Sequence, residues 1–177
     1  MSKVAKPHLL MRVVVMGVSG CGKSAVGALL AQGLSAEFVE GDSLHPAANV
    51  ARMAAGTPLT DEDRAPWLHA IGARLAAAQR DGRGLVVSCS ALRRSYRDLL
   101  RAACPELRIV FLHGSESLLA QRMAARSGHY MPASLLASQL ATLQPPQADE
   151  GALCFDIADT PQAIAAAALH QLQREAE

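Results

Sequence analysis

Eight consecutive residues, Gly17-Val18-Ser19-Gly20-Cys21-Gly22-Lys23-Ser24, carry the spacing GxxxxGK[ST], and an apolar run before them and a helical pattern after them supply the strand–turn–helix setting of a phosphate-binding loop. The glycines let backbone N–H groups converge on phosphate oxygens, and the helix that opens through Ala25 directs its N-terminal field at the same anion. Lys23 can span a β- and a γ-phosphate, and the hydroxyl of Ser24 is the expected Mg2+ ligand. The other two lysines, Lys3 and Lys6, stand in the N-terminal tail, so Lys23 is the sole lysine of the body, where a compact ammonium suits the space between two phosphates.

Such a loop says nucleotide without saying which reaction. There is no NKxD or TKxD segment to read guanine and no LSGGQ-like signature of a transport ATPase. A carboxylate pair, Glu40 and Asp42, closes a second short strand at the ligand-binding edge of a sheet, and alternation predicts both on one side. One could hold Mg2+ through water and the other could take a proton from an acceptor hydroxyl. A solvated turn would carry the same residues without chemistry.

These residues need a scaffold, and the pattern predicts one. Apolar strands are expected at 9–16, 36–40, 85–88, 107–112 and 153–157, each separated by helical periodicity. That alternation implies one α/β domain over 1–177, doubly wound around a parallel sheet. Thr60 and Asp63 make a capping pair for a helix whose Trp67, Leu68, Ile71 and Leu75 share a core side. The helix-rich stretch 45–80 exceeds a minimal crossover and reads as a substrate-side insertion. Composition fits a folded enzyme: of 177 residues, 50% are hydrophobic and 19% charged, and the net charge is +1. There is no basic field for nucleic acid and little aromatic surface for stacking bases. The apolar run after Lys3 and Lys6 is too short to span a membrane. The four cysteines, Cys21, Cys89, Cys104 and Cys154, have no zinc spacing and read as reduced thiols of a cytoplasmic protein.

The order of several blocks resembles the gluconokinase family of small P-loop kinases. After the phosphate loop come Glu40-Gly41-Asp42-Ser43-Leu44-His45-Pro46, then the run from Gly56 through Thr60, Asp61, Asp63, Arg64 and Pro66 to Trp67-Leu68. Cys89-Ser90-Ala91-Leu92, Tyr96-Arg97-Asp98-Leu99-Leu100-Arg101, Arg126-Ser127-Gly128-His129-Tyr130-Met131, Leu143-Gln144 and Ala148-Asp149-Glu150 follow in family order, over about 12–157. The resemblance implies a nucleoside-monophosphate-kinase type of P-loop fold with strand order 2-3-1-4-5. It also implies ATP-dependent phosphorylation of the 6-hydroxyl of D-gluconate, a homodimer and a lid near 122–133. Three positions depart from the pattern: Glu40 where the family often has Asp, Arg93 where Lys is usual, and Pro145 where an acidic residue is common.

With that substrate, Asp42 is the candidate base, orienting the hydroxyl and taking its proton late, since a sugar hydroxyl is a weak acid. His45 could donate to a gluconate hydroxyl or simply pack on the following helix. Arg122 and Arg126, four apart on one helix face ahead of Gly128, are expected to turn toward the transferring phosphate. Arg64 and Arg97 are the expected carboxylate clamps, because a planar guanidinium meets a carboxylate with two hydrogen bonds. Two other readings stay open: a kinase for a different polyol acid or a nucleoside monophosphate, and a regulatory nucleotide-binding module that turns over slowly.

Overall fold

The structure, a computed structural model, describes residues 10–125 and 133–176. Five strands, β1 (Arg12–Met16), β2 (Glu37–Glu40), β3 (Leu85–Ser88), β4 (Arg108–His113) and β5 (Leu153–Asp156), form one sheet in the order β2-β3-β1-β4-β5. Every neighbouring pair is parallel, with Val13 beside Val86 and Arg108, and Val110 beside Leu153. Seven α-helices among the described residues connect or flank them: α1 (Lys23–Leu34), α2 (Ala47–Ala54), α3 (Asp61–Arg80), α4 (Arg94–Ala103), α5 (Glu116–Ala124), α6 (Ala133–Thr142) and α7 (Pro161–Arg174).

Side-chain alternation along β1 explains the two layers. Val13 and Val15 enter a core with Leu30 of α1, Leu119 of α5 and Ala168 of α7. Val14 and Met16 enter the opposite core with Trp67, Ile71 and Leu75 of α3 and Leu100 of α4. A strand sealed on both faces is apolar along its buried length, which is why Val13–Met16 read as a continuous run after Arg12. Each such side chain contributes about 1.5–3 kcal/mol of burial.

Helix starts follow local chemistry. Thr60 Oγ1 accepts from the Asp63 amide at 3.2 Å while Asp63 Oδ2 accepts from the Thr60 amide at 3.0 Å, the reciprocal cap the sequence predicts for α3. Thr160 caps α7, with Pro161 in its first turn.

The doubly wound reading and its strand order therefore hold. Strand ends Met16, Glu40 and Ser88 all lie at one edge of the sheet, beside the point where the chain order reverses. The loops leaving them are the phosphate loop, the 41–45 corner and the 89–93 turn, and such a crevice is where parallel sheets hold ligands.

Candidate active site

Gly17–Gly22 arches between β1 and α1. Gly20 (φ 83°) and Gly22 (φ 90°) occupy the left-handed region that side chains avoid, and no side chain caps the helix at Gly22. The first amides of α1 have no intrahelical partner, so the helix opens with donors available for an anion. Lys23 Nζ donates to the Val18 carbonyl at 3.0 Å, folding the ammonium back over the loop. The Ser19 amide donates to Gln139 Oε1 at 2.6 Å, a tie from α6 across 120 residues of sequence.

The side of the cleft facing the phosphate loop is built by the corner after β2. Gly41 runs so close to β3 that a Cβ there would lie 1.9 Å from the Ser88 carbonyl oxygen, so no larger residue fits. Its amide donates to Ser88 Oγ at 3.1 Å, and Trp67 Nε1 donates to its carbonyl at 2.8 Å. Residues Gly41–Leu44 then coil as a 3-10 turn, which ends the strand alternation at Glu40. The two carboxylates consequently part, contrary to the same-side expectation. Asp42 lines the cleft with Lys23, whereas Glu40 is not among its lining residues and accepts from Ser88 Oγ. His45 and Arg64 line the same cleft, with Ser19, Ser90 and Trp67 around them and Ser138 and Gln139 of α6 opposite.

The His45 ring stacks on Trp67 with centroids 4.1 Å apart and planes 14° from parallel. Burial is the main reason its pKa lies below the ordinary histidine value; Arg64 lowers it further, against an opposing pull from Asp42. Arg64 Nη1 donates to the Leu59 carbonyl at 2.6 Å and to Tyr96 Oη at 3.3 Å. Its side chain is 14% exposed. The thiol of Cys89, sealed at the end of β3, is pushed up to about 12 by burial, which leaves it protonated and inert at neutral pH.

Arg97 is not a clamp. Its side chain is 0% exposed, and Nε and Nη2 meet the two oxygens of Glu150 at 2.6 and 2.7 Å. Nη1 donates to the carbonyls of Ala91 and Leu92. With four of its five N–H donors engaged and the side chain sealed from solvent, Arg97 has no accessible donor for a substrate. The guanidinium does meet a carboxylate with two hydrogen bonds, but the helical face carrying it turns into the molecule and the carboxylate is that of Glu150. Arg122 Nη2 donates to the Ile157 carbonyl at 2.6 Å, and Arg122 does not line the cleft. Arg126, with most of the expected lid, lies outside the described residues.

A family model described as an AAA domain matches residues 13–146. The chain is 52% identical over 145 residues to the gluconokinase of Gluconobacter oxydans (strain 621H), covering 82% of this chain and 80% of that one. It is 42% identical over 162 residues to the thermoresistant gluconokinase of Escherichia coli (strain K12), at 91% and 93% coverage. The crystal structure of a gluconokinase from Sinorhizobium meliloti 1021 superposes with a TM-score of 0.85 at 49% identity, covering 95% of this chain and 96% of that one. The chain belongs to the gluconokinase family.

Within this family member, sequence reasoning missed the polar cleft residues Ser90, Ser138 and Gln139 and undervalued Trp67. Gln139 sits among Leu135, Leu136, Leu140 and Leu143, and a polar residue on an apolar helical stripe was the available signal. Ser90 has no periodic context, and its only signal was its place in the Cys89-Ser90-Ala91-Leu92 block. Trp67, expected as core, is 1% exposed and also faces the cleft, so it is both floor and packing. No helix among the described residues is long and apolar enough to cross a membrane.

Proposed function

We propose that this chain transfers the γ-phosphoryl group of ATP to the 6-hydroxyl of D-gluconate, releasing ADP and 6-phospho-D-gluconate. The observation that carries the reading is a single cleft joining Lys23 of the phosphate loop to Asp42, His45 and Arg64 of the acceptor side. Gluconate O6 bonds to the γ-phosphorus as the bond to the β,γ-bridging oxygen breaks and its electrons leave with ADP. The O6 proton passes to the Asp42 carboxylate. Lys23 exchanges the Val18 carbonyl for phosphate oxygens, where its charge meets a stronger acceptor. Arg64 offers its remaining guanidinium N–H groups to the gluconate carboxylate. ATP turnover measured with and without D-gluconate tests the whole reading; turnover indifferent to gluconate, or faster with a nucleoside monophosphate, would overturn it.

The donor set at the head of α1 suits Mg2+, a hard cation that keeps several waters and takes only one or two protein oxygens beside phosphate. Ser24 Oγ would be the direct ligand. Glu40, whose Oε1 is engaged by Ser88, would reach the ion through water on its other oxygen. When bound, the ion neutralises charge on the phosphates. The homodimer rests on the family resemblance and the cytoplasmic location on four cysteines read as reduced thiols, and sedimentation of the purified chain reads the first directly.

Two substitutions probe the two sides. Lys23→Ala removes a charge that meets the migrating oxygens, so kcat is expected to fall by about 10²–10³ with the thermal midpoint unchanged; near-normal kcat would remove Lys23 from the chemistry. Arg64→Leu removes a charged donor whose lost hydrogen bonds cost about 1.5–3 kcal/mol each. Glucose has the same primary hydroxyl and no carboxylate, so the substitution should penalise gluconate far more than glucose. The measurement is the ratio of kcat/KM values, which a general loss of folded enzyme leaves untouched. An unchanged ratio would exclude Arg64 as the clamp.

A further inference from the structure

Asn49 is a buried polar residue that no part of the phosphoryl-transfer reading uses. It lies on α2, one helical turn beyond His45, and is 4% exposed. One terminal atom of its amide stands 2.6 Å from the carbonyl oxygen of Asp63. A carbonyl only accepts, so that atom is the nitrogen Nδ2, and the orientation of the amide follows. The same Nδ2 is 3.4 Å from His45 Nδ1, a long contact but one with a second N–H to give. A proton on Nδ1 would set two donors against each other in a half-buried place, with neither satisfied.

We propose that Asn49 is a positioning residue that holds His45 as the tautomer protonated on Nε2, so that His45 donates to the acceptor substrate and Asp42 alone accepts the proton. Stacking on Trp67 restrains the ring from turning over. The charged groups facing His45 in the cleft are Asp42, Arg64 and Lys23. Burial and Arg64 outweigh Asp42 and keep the ring neutral. The division of labour then suits a hydroxyl. A sugar O–H has one proton to give, toward Asp42, and lone pairs to receive Nε2–H. A ring whose Nε2 carries a proton cannot be the base, so a histidine beside the carboxylate does not compete with it.

This proposal rests on the gluconate kinase reading for its kinetic consequence but not for its tautomer, and the experiment separates the two. Long-range 1H–15N correlation on the histidine-labelled chain without substrates should give His45 an unprotonated Nδ1 and a protonated Nε2 at neutral pH. A protonated Nδ1 in the wild-type chain overturns the proposal whether or not the enzyme phosphorylates gluconate. Asn49→Asp places an acceptor beside Nδ1 and should move the proton there and raise the His45 pKa in the same spectra. With Nε2 bare, KM for gluconate should rise about tenfold, the loss of one hydrogen bond, while KM for ATP stays within about twofold. Asn49→Ala, which leaves Nδ1 without a protein donor, should give mixed tautomers and a smaller rise. Equal changes in both KM values, or an unchanged gluconate KM in a variant whose tautomer has switched, would remove His45 as donor and overturn the positioning role. If the tautomer is as proposed and gluconate is not a substrate, it is the activity reading that falls.

Discussion

Replacing Asp42 with Asn should lower kcat for gluconate phosphorylation by about 10²–10⁴ and leave nucleotide affinity nearly unchanged. The amide matches the carboxylate in shape and can still receive a hydrogen bond, but it cannot take the proton released as O6 bonds to phosphorus. Asp42 is suited to the task by location: the 3-10 turn that follows Glu40 carries it into the cleft with Lys23, while Glu40 is held by Ser88. His45 offers no substitute base if its Nε2 is already protonated. The measurement is single-turnover transfer at saturating substrates, alongside ATP binding at equilibrium. Collapse of nucleotide affinity with kcat preserved would instead put Asp42 on the metal side.

The second large effect concerns stability. Glu150→Ala should cost about 3–5 kcal/mol of unfolding free energy, because it strands the Arg97 guanidinium in a dry interior. Glu150 is 1% exposed at its side chain and also receives Arg101 Nη1 at 3.0 Å and the Gln147 amide at 3.0 Å. Those donors, led by Arg97, hold its pKa at about 2 against an ordinary 4.5. The pair's contribution is therefore complete above about pH 4.5 and is lost as pH falls through about 2, the sign of a carboxylate whose folded pKa is depressed. Denaturant titration followed by the single tryptophan, Trp67, reads the change. A loss below about 1 kcal/mol would mean the pair is solvated in solution. The double replacement of Arg97 and Glu150 by leucine should recover much of the loss, since no fully buried charge is left unpaired and the partly exposed Arg101 keeps Asp98.

That ion pair also serves the site at one remove. Arg97 Nη1 holds the carbonyls of Ala91 and Leu92, and Ala91 has φ 42°, an uncommon conformation for a residue with a Cβ. The Gln144 amide binds the Leu92 carbonyl from the other side at 2.8 Å. Together they set the turn that brings Ser90 to the cleft. A residue expected to touch substrate is thus part of the wall behind it.

What was readable in advance was local. The phosphate loop needs glycines, a lysine and a hydroxyl at fixed spacing within eight residues, and its strand and helix are adjacent in the chain, so linear order carries the geometry. The two-sided burial of β1, the cap at Thr60 and the alternation of strands and helices are likewise written in neighbouring residues, and they sufficed for a doubly wound parallel sheet. The family blocks added the substrate and the strand order because their sequence of appearance is itself specific.

What linear order could not decide was which distant side chains meet. Arg64 and Arg97 look alike as basic residues near helix starts. Packing of α4 against the 148–150 segment gives Arg97 a carboxylate partner 53 residues away, while Arg64 lines the cleft. Glu40 and Asp42 are two apart, yet one 3-10 turn sends them to different partners. Gln139 reaches Ser19 across 120 residues, and Asn49 gains its orientation from the Asp63 carbonyl on another helix. Hydrogen-bond partners of buried polar groups are assigned by where the sheet and its helices bring them, because desolvation forces each group to take whatever donor or acceptor the packing supplies. The amino-acid sequence by itself determined the nucleotide loop, the layers and the family; the tertiary structure decided which arginine faces the cleft, which carboxylate stands with Lys23, and which atom of His45 meets Asn49.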